Sequence, residues 1–247
     1  MVRFCKGKGS RRRGEKKAMT NGKSPVRIES IVFDFDGTLA ELHLDFGEMK
    51  RRLAVLAEEF TNGDAPPSAL PALEWLEALV ERVRKSSSKA AAENLQKRAT
   101  ALIVDMELEG ARRGCLFSFT RPILNELRQK GIKVAIITRN CEMAVRLVFP
   151  DLDLYCSSFL ARDHVPRVKP DPDHLLRALA MASASTQGAL MVGDHPLDVQ
   201  TGKRAGVLTA AVWSGSATQA DLIRSGARWI AGNCEELIAA LKAEELI

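Results

Sequence analysis

The chain lacks the cysteine pattern of a disulfide-bonded or zinc-stabilised protein. Its five cysteines among 247 residues are scattered, odd in number and never spaced as Cys-x-x-Cys. They are Cys5, Cys115, Cys141, Cys156 and Cys234. Disulfide frameworks and structural zinc sites use cysteine pairs at short, regular spacings. The cysteine usage therefore argues against both and predicts a protein of the reducing cytoplasm.

Long apolar runs are missing as well. A membrane-spanning helix needs about 18 or more consecutive apolar residues, and no stretch of this sequence approaches that length. We therefore expect no membrane span. No internal repeat is visible. The length suits one or two domains with a substantial hydrophobic core.

Positive charge is concentrated at the start of the chain. Residues 1–27 hold ten Lys/Arg and one acid, for a net charge of +9, whereas the remaining residues carry −4. This segment has no apolar pattern and lacks the apolar core of a signal peptide, so it is predicted to be a disordered, solvated tail. A weak electrostatic contact with nucleic acid or anionic lipid is the alternative. Met19 lies inside the tail, and we expect the natural start there.

Residues 45–115 are predicted to be helical. Apolar residues recur every three or four positions over 45–60, 71–85 and 88–113, which is typical of amphipathic helices. A Gly/Asp/Pro-rich turn at 61–68 separates the first two. Three such helices can bury their apolar faces against each other. We therefore expect an inserted all-helical domain without a strand.

Strand and helix patterns alternate on both sides of this insertion. Short apolar runs at 31–34, 133–138, 189–192 and 208–212 predict buried strands, with weaker candidates at 154–157 and 229–230. Repeated β-α-β units form a parallel sheet with helices on both faces. The sequence therefore predicts an α/β fold, a three-layer α/β/α Rossmann-like core made from residues 28–44 and 116–247.

Two carboxylates end the first strand. Asp34 and Asp36 are expected on the same side of the chain because side chains alternate along a strand, and Gly37 then turns the chain. Like charges this close are costly unless a cation, a proton or a substrate uses them. The alternative is an ordinary Asp-Gly turn.

Other polar residues also follow predicted strands. Thr138 ends the 133–138 run, and Arg139 and Asn140 are expected to open the next helix. Asp194 and Asp198 follow 189–192, and Lys169 lies in a loop. Each has an alternative interpretation as a cap, a turn residue or a solvated charge. Ligands of parallel α/β sheets bind at the carboxyl ends of strands, so we expect these groups to meet there.

The combined residue types favour phosphoryl chemistry. The carboxylates of Asp34, Asp194 and Asp198 form an oxygen-rich set that suits Mg²⁺. A carboxylate can attack phosphorus to form an aspartyl-phosphate, and a second one can protonate the leaving oxygen and then activate water. Thr138, the amides at the start of the next helix and Lys169 could neutralise the phosphoryl oxygens.

Taken in order, these motifs resemble the four motifs of the haloacid dehalogenase superfamily. They are Asp-Phe-Asp-Gly-Thr-Leu at 34–39, Thr138, Lys-Pro-Asp-Pro at 169–172, and Gly-Asp-x-x-x-Asp at 193–198. The resemblance covers residues 28 to about 215. The helical insertion lies where the phosphoglycolate phosphatase-like branch of that superfamily carries its cap. Residues 202–206, Gly-Lys-Arg-Ala-Gly, also resemble that branch.

The resemblance implies a role for each acidic residue and for one lysine. Asp34 would be the nucleophile and a Mg²⁺ ligand. Asp36 would be the general acid and base and would offer its backbone carbonyl to Mg²⁺. Asp194 would complete the protein's metal ligands, and Asp198 would support Asp194 and Lys169.

Phosphate binding is implied for Thr138 and Lys169, with Arg139 and Gly37 beside them. Arg139 departs from the asparagine that is commoner in the second motif, which bears on substrate contacts. The superfamily's dehalogenases lack the second aspartate of the first motif. Asp36 therefore favours phosphate esters over carbon–halogen bonds.

The resemblance thus predicts a Mg²⁺-dependent phosphatase for a small phosphorylated metabolite, such as phosphoglycolate or a sugar phosphate. The helical cap would close over the site and exclude water. A phosphosugar mutase with the same aspartyl-phosphate is the nearest alternative. A nucleic-acid-associated protein recruited by the basic tail is another. The oligomeric state is left open by the sequence.

Overall fold

The structure, a computed structural model, describes residues 27–61, 63 and 65–247. The predictions of a disordered tail and of a start at Met19 concern residues 1–27, which lie outside this range except for Arg27. The chain divides into two compact units. One combines the described residues up to Glu41 with Cys115–Ile247, and the other is Leu42–Gly114. None of the helices formed by the described residues has the length and apolar character needed to cross a membrane.

Strands and helices alternate along the chain after the helical second unit. In chain order they are β1 (Ser30–Phe33), β2 (Ala40–Glu41), α1 (Phe46–Thr61), α2 (Ala72–Ser86), α3 (Lys89–Arg113), β3 (Cys115–Leu116), α4 (Thr120–Gln129), β4 (Lys133–Ile137), α5 (Glu142–Val148), β5 (Ser158–Leu160), α6 (Pro172–Met181), β6 (Ala189–Gly193), α7 (Pro196–Arg204), β7 (Leu208–Val212), α8 (Gln219–Ser225), β8 (Trp229–Ala231) and α9 (Cys234–Ala243).

The first unit is built on a six-stranded parallel sheet in the order β5-β4-β1-β6-β7-β8. The strands are short, apolar and almost completely buried, as expected when both faces of a sheet are covered. Helices α6 and α7 pack against the strands and each other, and α4 packs against α9. The predicted three-layer α/β/α core is confirmed.

Three local details differ from the sequence-based expectations. The weak strand predicted near 154–157 lies further along the chain, because residues 152–154 form a 3₁₀ turn and the strand begins at Ser158. The helix expected to open at Arg139 and Asn140 begins only at Glu142. Strand β3 begins at Cys115, inside the region predicted to hold no strand, and pairs with β2. A two-residue strand is too short to produce a period in the sequence.

The second unit contains the three predicted helices, α1 to α3. Helix α3 starts where Ser88 accepts a hydrogen bond from the backbone N–H of Ala91 (3.1 Å), a typical N-cap. Both α1 and α2 pack against α3. Their apolar faces form a core of their own, with Val83, Leu95 and Ile103 among its most buried members.

Truncation of this core should destabilise the helical unit. Leu95 is 1% exposed, so Leu95→Ala leaves a cavity and should lower the free energy of unfolding by about 2–5 kcal/mol. Val55 is 65% exposed, so Val55→Ala should change it by less than about 0.5 kcal/mol. Chemical denaturation monitored by circular dichroism measures both. Equal effects of the two variants would contradict this description of the core.

Candidate active site

The register of the central strands brings the predicted motifs to one edge of the sheet. Phe33 of β1 pairs with Ile136 of β4 and with Val192 of β6. Asp34 therefore leaves β1 at the same level as the ends of both neighbouring strands, and Thr138 and Asp194 follow those strand ends. This is the carboxyl edge of the sheet, where ligands of parallel α/β folds bind.

A buried lysine joins two of the aspartates. The Nζ atom of Lys169 lies 2.5 Å from Oδ1 of Asp34 and 2.6 Å from Oδ1 of Asp198. Lys169 is 2% exposed. Burial opposes the charge on the ammonium, yet Asp198 and Asp34 together raise the pKa of Lys169. The lysine is therefore held as a cation between the two carboxylates.

Asp194 completes the acidic cluster. Carboxylate oxygens of Asp34, Asp194 and Asp198 all lie within 4.8 Å of one another. Burial is the largest influence on the pKa of Asp34 and raises it. The Lys169 cation lowers that pKa and the Asp198 carboxylate raises it, so that the net change is a rise. Burial and the neighbouring charges of Asp34 and Asp198 raise the pKa of Asp194. Packed like charges thus make the ionised cluster costly unless a cation offsets them.

This donor set fits a divalent cation. Three carboxylates and one ammonium leave a formal charge of −2 in a buried site, which a dication would neutralise. Asp198 already uses both oxygens, since Oδ1 contacts Lys169 and Oδ2 accepts the backbone N–H of His195 (3.0 Å). Asp34 and Asp194 are therefore the side chains better placed to bind a metal ion, and Asp198 holds the lysine.

A loop that sequence reasoning missed positions Asp194. The backbone N–H of Ser216 donates to Oδ2 of Asp194 (3.1 Å), and Ser214 Oγ donates to the carbonyl of Gly37 (2.7 Å). A Cβ atom on Gly215 would lie only 1.9 Å from that same Asp194 oxygen. The absence of a side chain is thus required at Gly215. The available sequence signal was a Ser-Gly-Ser segment just after an apolar strand.

The remaining predicted residues surround this cluster. Thr138 is buried, with Oγ1 accepting the backbone N–H of Asn140 (3.2 Å). Arg139 donates from Nη1 to the carbonyl of Lys169 (2.8 Å). Gly37 adopts φ +75° and its N–H donates to the carbonyl of Ala40 (2.7 Å), so this amide is engaged inside the turn. The phosphate-binding roles of Thr138, Arg139 and Gly37 stay predictions.

Asp36 lies in the same turn, outside the three-carboxylate cluster. It forms an isolated bridge with Ala40 and is partly buried. Its sequence neighbour Asp34 is the carboxylate in contact with the ammonium of Lys169. The cluster and the contact with Lys169 thus involve the first aspartate of the motif, and the catalytic role of Asp36 stays a prediction.

One histidine near the site was not assigned any function from the sequence. His174 is fully buried at the start of α6. Its Nδ1 lies 3.3 Å from the backbone nitrogen of Lys169, and its Nε2 lies 3.0 Å from the carbonyl oxygen of Leu160. Burial, followed by the Lys169 charge, lowers the pKa of His174 to about 4. His195, by contrast, is exposed and caps α7 by accepting the N–H of Leu197 (3.2 Å).

The structure thus combines a Rossmann-like core with a buried lysine and an acidic cluster at the carboxyl edge of its sheet. The family model of haloacid dehalogenase-like hydrolases matches residues 31–212. The chain belongs to this family, and the resemblance seen in its motifs is confirmed.

Individual relatives agree with this assignment. A haloacid dehalogenase-like hydrolase domain-containing protein of Arabidopsis thaliana is 32% identical over 193 residues, 77% of this chain and 72% of the relative. A phosphoglycolate phosphatase of Pseudomonas putida is 32% identical over 189 residues, 72% of this chain and 66% of that protein. Among solved structures, a hydrolase from Pseudomonas syringae superposes with a TM-score of 0.64 at 21% identity, covering 87% of this chain and 98% of its own.

Neutralising one carboxylate should stabilise the metal-free protein. Asp194→Asn removes like-charge repulsion and keeps an acceptor for Ser216, so the metal-free Tm should rise by about 2–4 °C, equivalent to about 1 kcal/mol. Because the pKa of Asp194 is raised, the folded wild type binds a proton that the unfolded chain does not. Its metal-free stability should therefore increase as the pH is lowered from 8 towards 6, and less so in the variant.

Thermal melts in EDTA and in Mg²⁺ measure these differences. Mg²⁺ should raise the Tm of the wild type and have little effect on Asp194→Asn. Asp221→Asn, at a partly exposed acid in α8, serves as the control and should keep the wild-type response. Equal Mg²⁺ stabilisation of wild type and Asp194→Asn would contradict the assignment of Asp194 to the cation site.

A methyl group at Gly215 should damage the same site. Gly215→Ala would displace the Asp194 carboxylate and should weaken Mg²⁺ stabilisation at least tenfold in apparent affinity. Gly232→Ala is the matched control, because its added Cβ meets the end of the exposed, flexible Glu236 side chain instead. Titration of Tm against Mg²⁺ concentration compares the two. The prediction fails if both variants titrate like the wild type.

Proposed function

We propose that this protein is a Mg²⁺-dependent phosphatase that hydrolyses a small phosphate monoester through an aspartyl-phosphate on Asp34. The proposal depends mainly on one observation, the buried contact of Asp34 with Lys169 next to Asp194 and Asp198. An isolated carboxylate would not need this environment. A nucleophile that must meet a dianionic phosphoryl group does, because nearby positive charge reduces their repulsion.

In the first step, an oxygen of Asp34 attacks phosphorus. A bond forms between that oxygen and phosphorus while the bond from phosphorus to the ester oxygen breaks. The leaving oxygen takes a proton from Asp36. Lys169 and Thr138 bind phosphoryl oxygens and offset the charge that develops there.

In the second step, Asp36 accepts a proton from water, and that water attacks phosphorus. The bond between phosphorus and Asp34 breaks, which releases inorganic phosphate and regenerates the Asp34 carboxylate. Mg²⁺, held by Asp34, Asp194 and the backbone carbonyl of Asp36, would act as a Lewis acid on a phosphoryl oxygen when bound.

The substrate class is inferred from the relatives. The P. putida relative is named a phosphoglycolate phosphatase, so phosphoglycolate and small sugar phosphates are the first candidates. Closure of the helical unit over the site, weak nucleic-acid binding by the basic tail and a cytoplasmic location stay predictions from the sequence.

Loss of either aspartate of the first motif should abolish turnover in different ways. Asp34→Asn removes the nucleophile and should lower kcat by at least about 10³-fold. Asp36→Asn should slow both protonation of the leaving oxygen and activation of water. With an aryl phosphate, whose leaving oxygen needs no proton, mainly the second step is slowed, so a phosphoryl group should accumulate on the peptide that contains Asp34. Phosphate release from a panel of phosphorylated metabolites with Mg²⁺ measures turnover, and mass spectrometry of quenched protein detects the adduct.

Asp221→Asn again provides a control, since that partly exposed acid lies outside the cluster and should leave kcat unchanged within about twofold. Full activity of Asp34→Asn would overturn the mechanism. Return of the phosphoryl group to a bound sugar, without phosphate release, would identify a mutase instead.

A further inference from the structure

The position of Lys169 needs an explanation beyond its two ion pairs. Lys169 lies in an irregular loop ahead of α6, so no helix or strand holds its backbone. Lysine has a long, flexible side chain that loses much conformational freedom when it is fixed. Its ammonium nevertheless lies within 2.6 Å of both Asp34 and Asp198. Contacts from outside the loop must therefore fix the main chain from which the side chain extends.

The imidazole of His174 provides one such contact. Nδ1 lies 3.3 Å from the backbone nitrogen of Lys169, which can only donate, so Nδ1 accepts. Nε2 lies 3.0 Å from the carbonyl oxygen of Leu160, which can only accept, so Nε2 carries the proton. The two hydrogen bonds together require the neutral ring in this one tautomer. Its low pKa, about 4, keeps the ring in that state near neutral pH.

The Leu160 carbonyl links this histidine to the neighbouring strand. Leu160 is the last residue of β5, and its oxygen also accepts the backbone N–H of Thr138 (3.1 Å). One carbonyl thus binds His174 and Thr138 together. A chain of hydrogen bonds runs from Thr138 through Leu160 and His174 to Lys169. It joins the two residues that the proposed function assigns to phosphate binding.

The opposite side of the Lys169 main chain is held as well. Nη1 of Arg139 donates to the Lys169 carbonyl oxygen (2.8 Å). The N–H and the C=O of Lys169 are therefore both bonded to side chains from outside its loop. Because Arg139 follows Thr138 directly, this second contact also ties the Lys169 main chain to the residues just after β4.

A filling role in the core does not account for the histidine. His174 is fully buried, and an apolar side chain would occupy that space without bringing two polar nitrogens out of water. Both nitrogens form hydrogen bonds, one with the Leu160 carbonyl of the sheet and one with the backbone N–H of Lys169. The polar ring is therefore matched to these two partners.

We propose that His174 is a positioning residue for phosphoryl transfer, which places the Lys169 ammonium relative to Thr138 through the shared carbonyl of Leu160. This inference rests on the proposed function, in which Lys169 binds the phosphoryl group beside the nucleophile Asp34. His174 itself does not contact the reacting atoms. Its effect on the rate passes entirely through Lys169.

A double-mutant cycle between His174 and Lys169 tests this dependence. His174→Leu should lower kcat by about 10–100-fold, because small displacements of a positioning group reduce rates by about 10²-fold. Lys169→Ala should lower it further. In the Lys169→Ala background, His174→Leu should have less than a twofold additional effect, since the group it positions is gone.

Conservative variants and a matched control separate positioning from general stability. His174→Asn keeps an acceptor near the place of Nδ1 and should recover part of the kcat that His174→Leu loses. His164→Leu alters an exposed histidine that contacts Glu142 (2.9 Å) and should leave kcat within about twofold. If His174→Leu does not fold, His174→Asn enters the same cycle. The inference would be overturned if the losses of kcat caused by the His174 and Lys169 substitutions multiplied in the double variant.

A binding measurement distinguishes this inference from the proposed function. Calorimetric titration of the same four proteins with inorganic phosphate reports the dissociation constant without turnover. His174→Leu should weaken phosphate binding in the wild-type background and not in the Lys169→Ala background. A wild type that releases no phosphate from any ester but shows this pattern would refute phosphatase activity and leave the positioning role supported. An active wild type in which the His174 and Lys169 substitutions have additive effects on the free energy of phosphate binding would support phosphatase activity and refute the positioning role.

Discussion

The site depends on one interaction, the buried ammonium of Lys169 between the carboxylates of Asp34 and Asp198. Removing one partner from such a group leaves an unpaired buried charge, which typically costs about 3–5 kcal/mol. Both carboxylates must therefore be delivered to the same few ångströms. Asp34 follows β1 directly, and Asp198 lies in the first turn of α7, the helix after β6. Strands β1 and β6 are adjacent, and their parallel register aligns their carboxyl ends. The sheet therefore places both carboxylates where they can offset the cost of burying the Lys169 ammonium.

In the acidic cluster, by contrast, the negative charges are not fully neutralised by the protein. Asp194 adds a third carboxylate that the lysine does not neutralise, and its raised pKa reflects burial next to two like charges. The surrounding structure enforces this arrangement, since Ser216 binds the carboxylate and Gly215 leaves room for it. We therefore expect this site to be least stable when no cation is bound. On the proposed function, stability and catalysis make different demands on Asp194, and a bound dication would reconcile them.

Much of the fold and part of the site could be predicted from local sequence. The apolar runs of β4, β6 and β7 and the helical periods of α1 to α3 are strong signals because each depends on neighbours in the chain. Asp34, Asp194 and Lys169 could be selected because their motifs occur in order. The roles of His174 and Ser216 could not, since a histidine in the first turn of a helix and a serine in a loop have many ordinary uses. Their partners are distant in sequence or come from main-chain atoms.

The sequence by itself determined the class of fold, the order of its elements and the residue types available for catalysis. These properties follow from periodicity and from motifs that each occupy a few consecutive residues. Only the tertiary structure decided how those residues divide their contacts. It bonded both oxygens of Asp198 to Lys169 and the His195 amide, engaged the Gly37 amide within its own turn, and connected Lys169 to Thr138 through His174. The physical reason is that a hydrogen bond has a short range and a fixed direction. Which groups meet is therefore settled by strand register and loop packing.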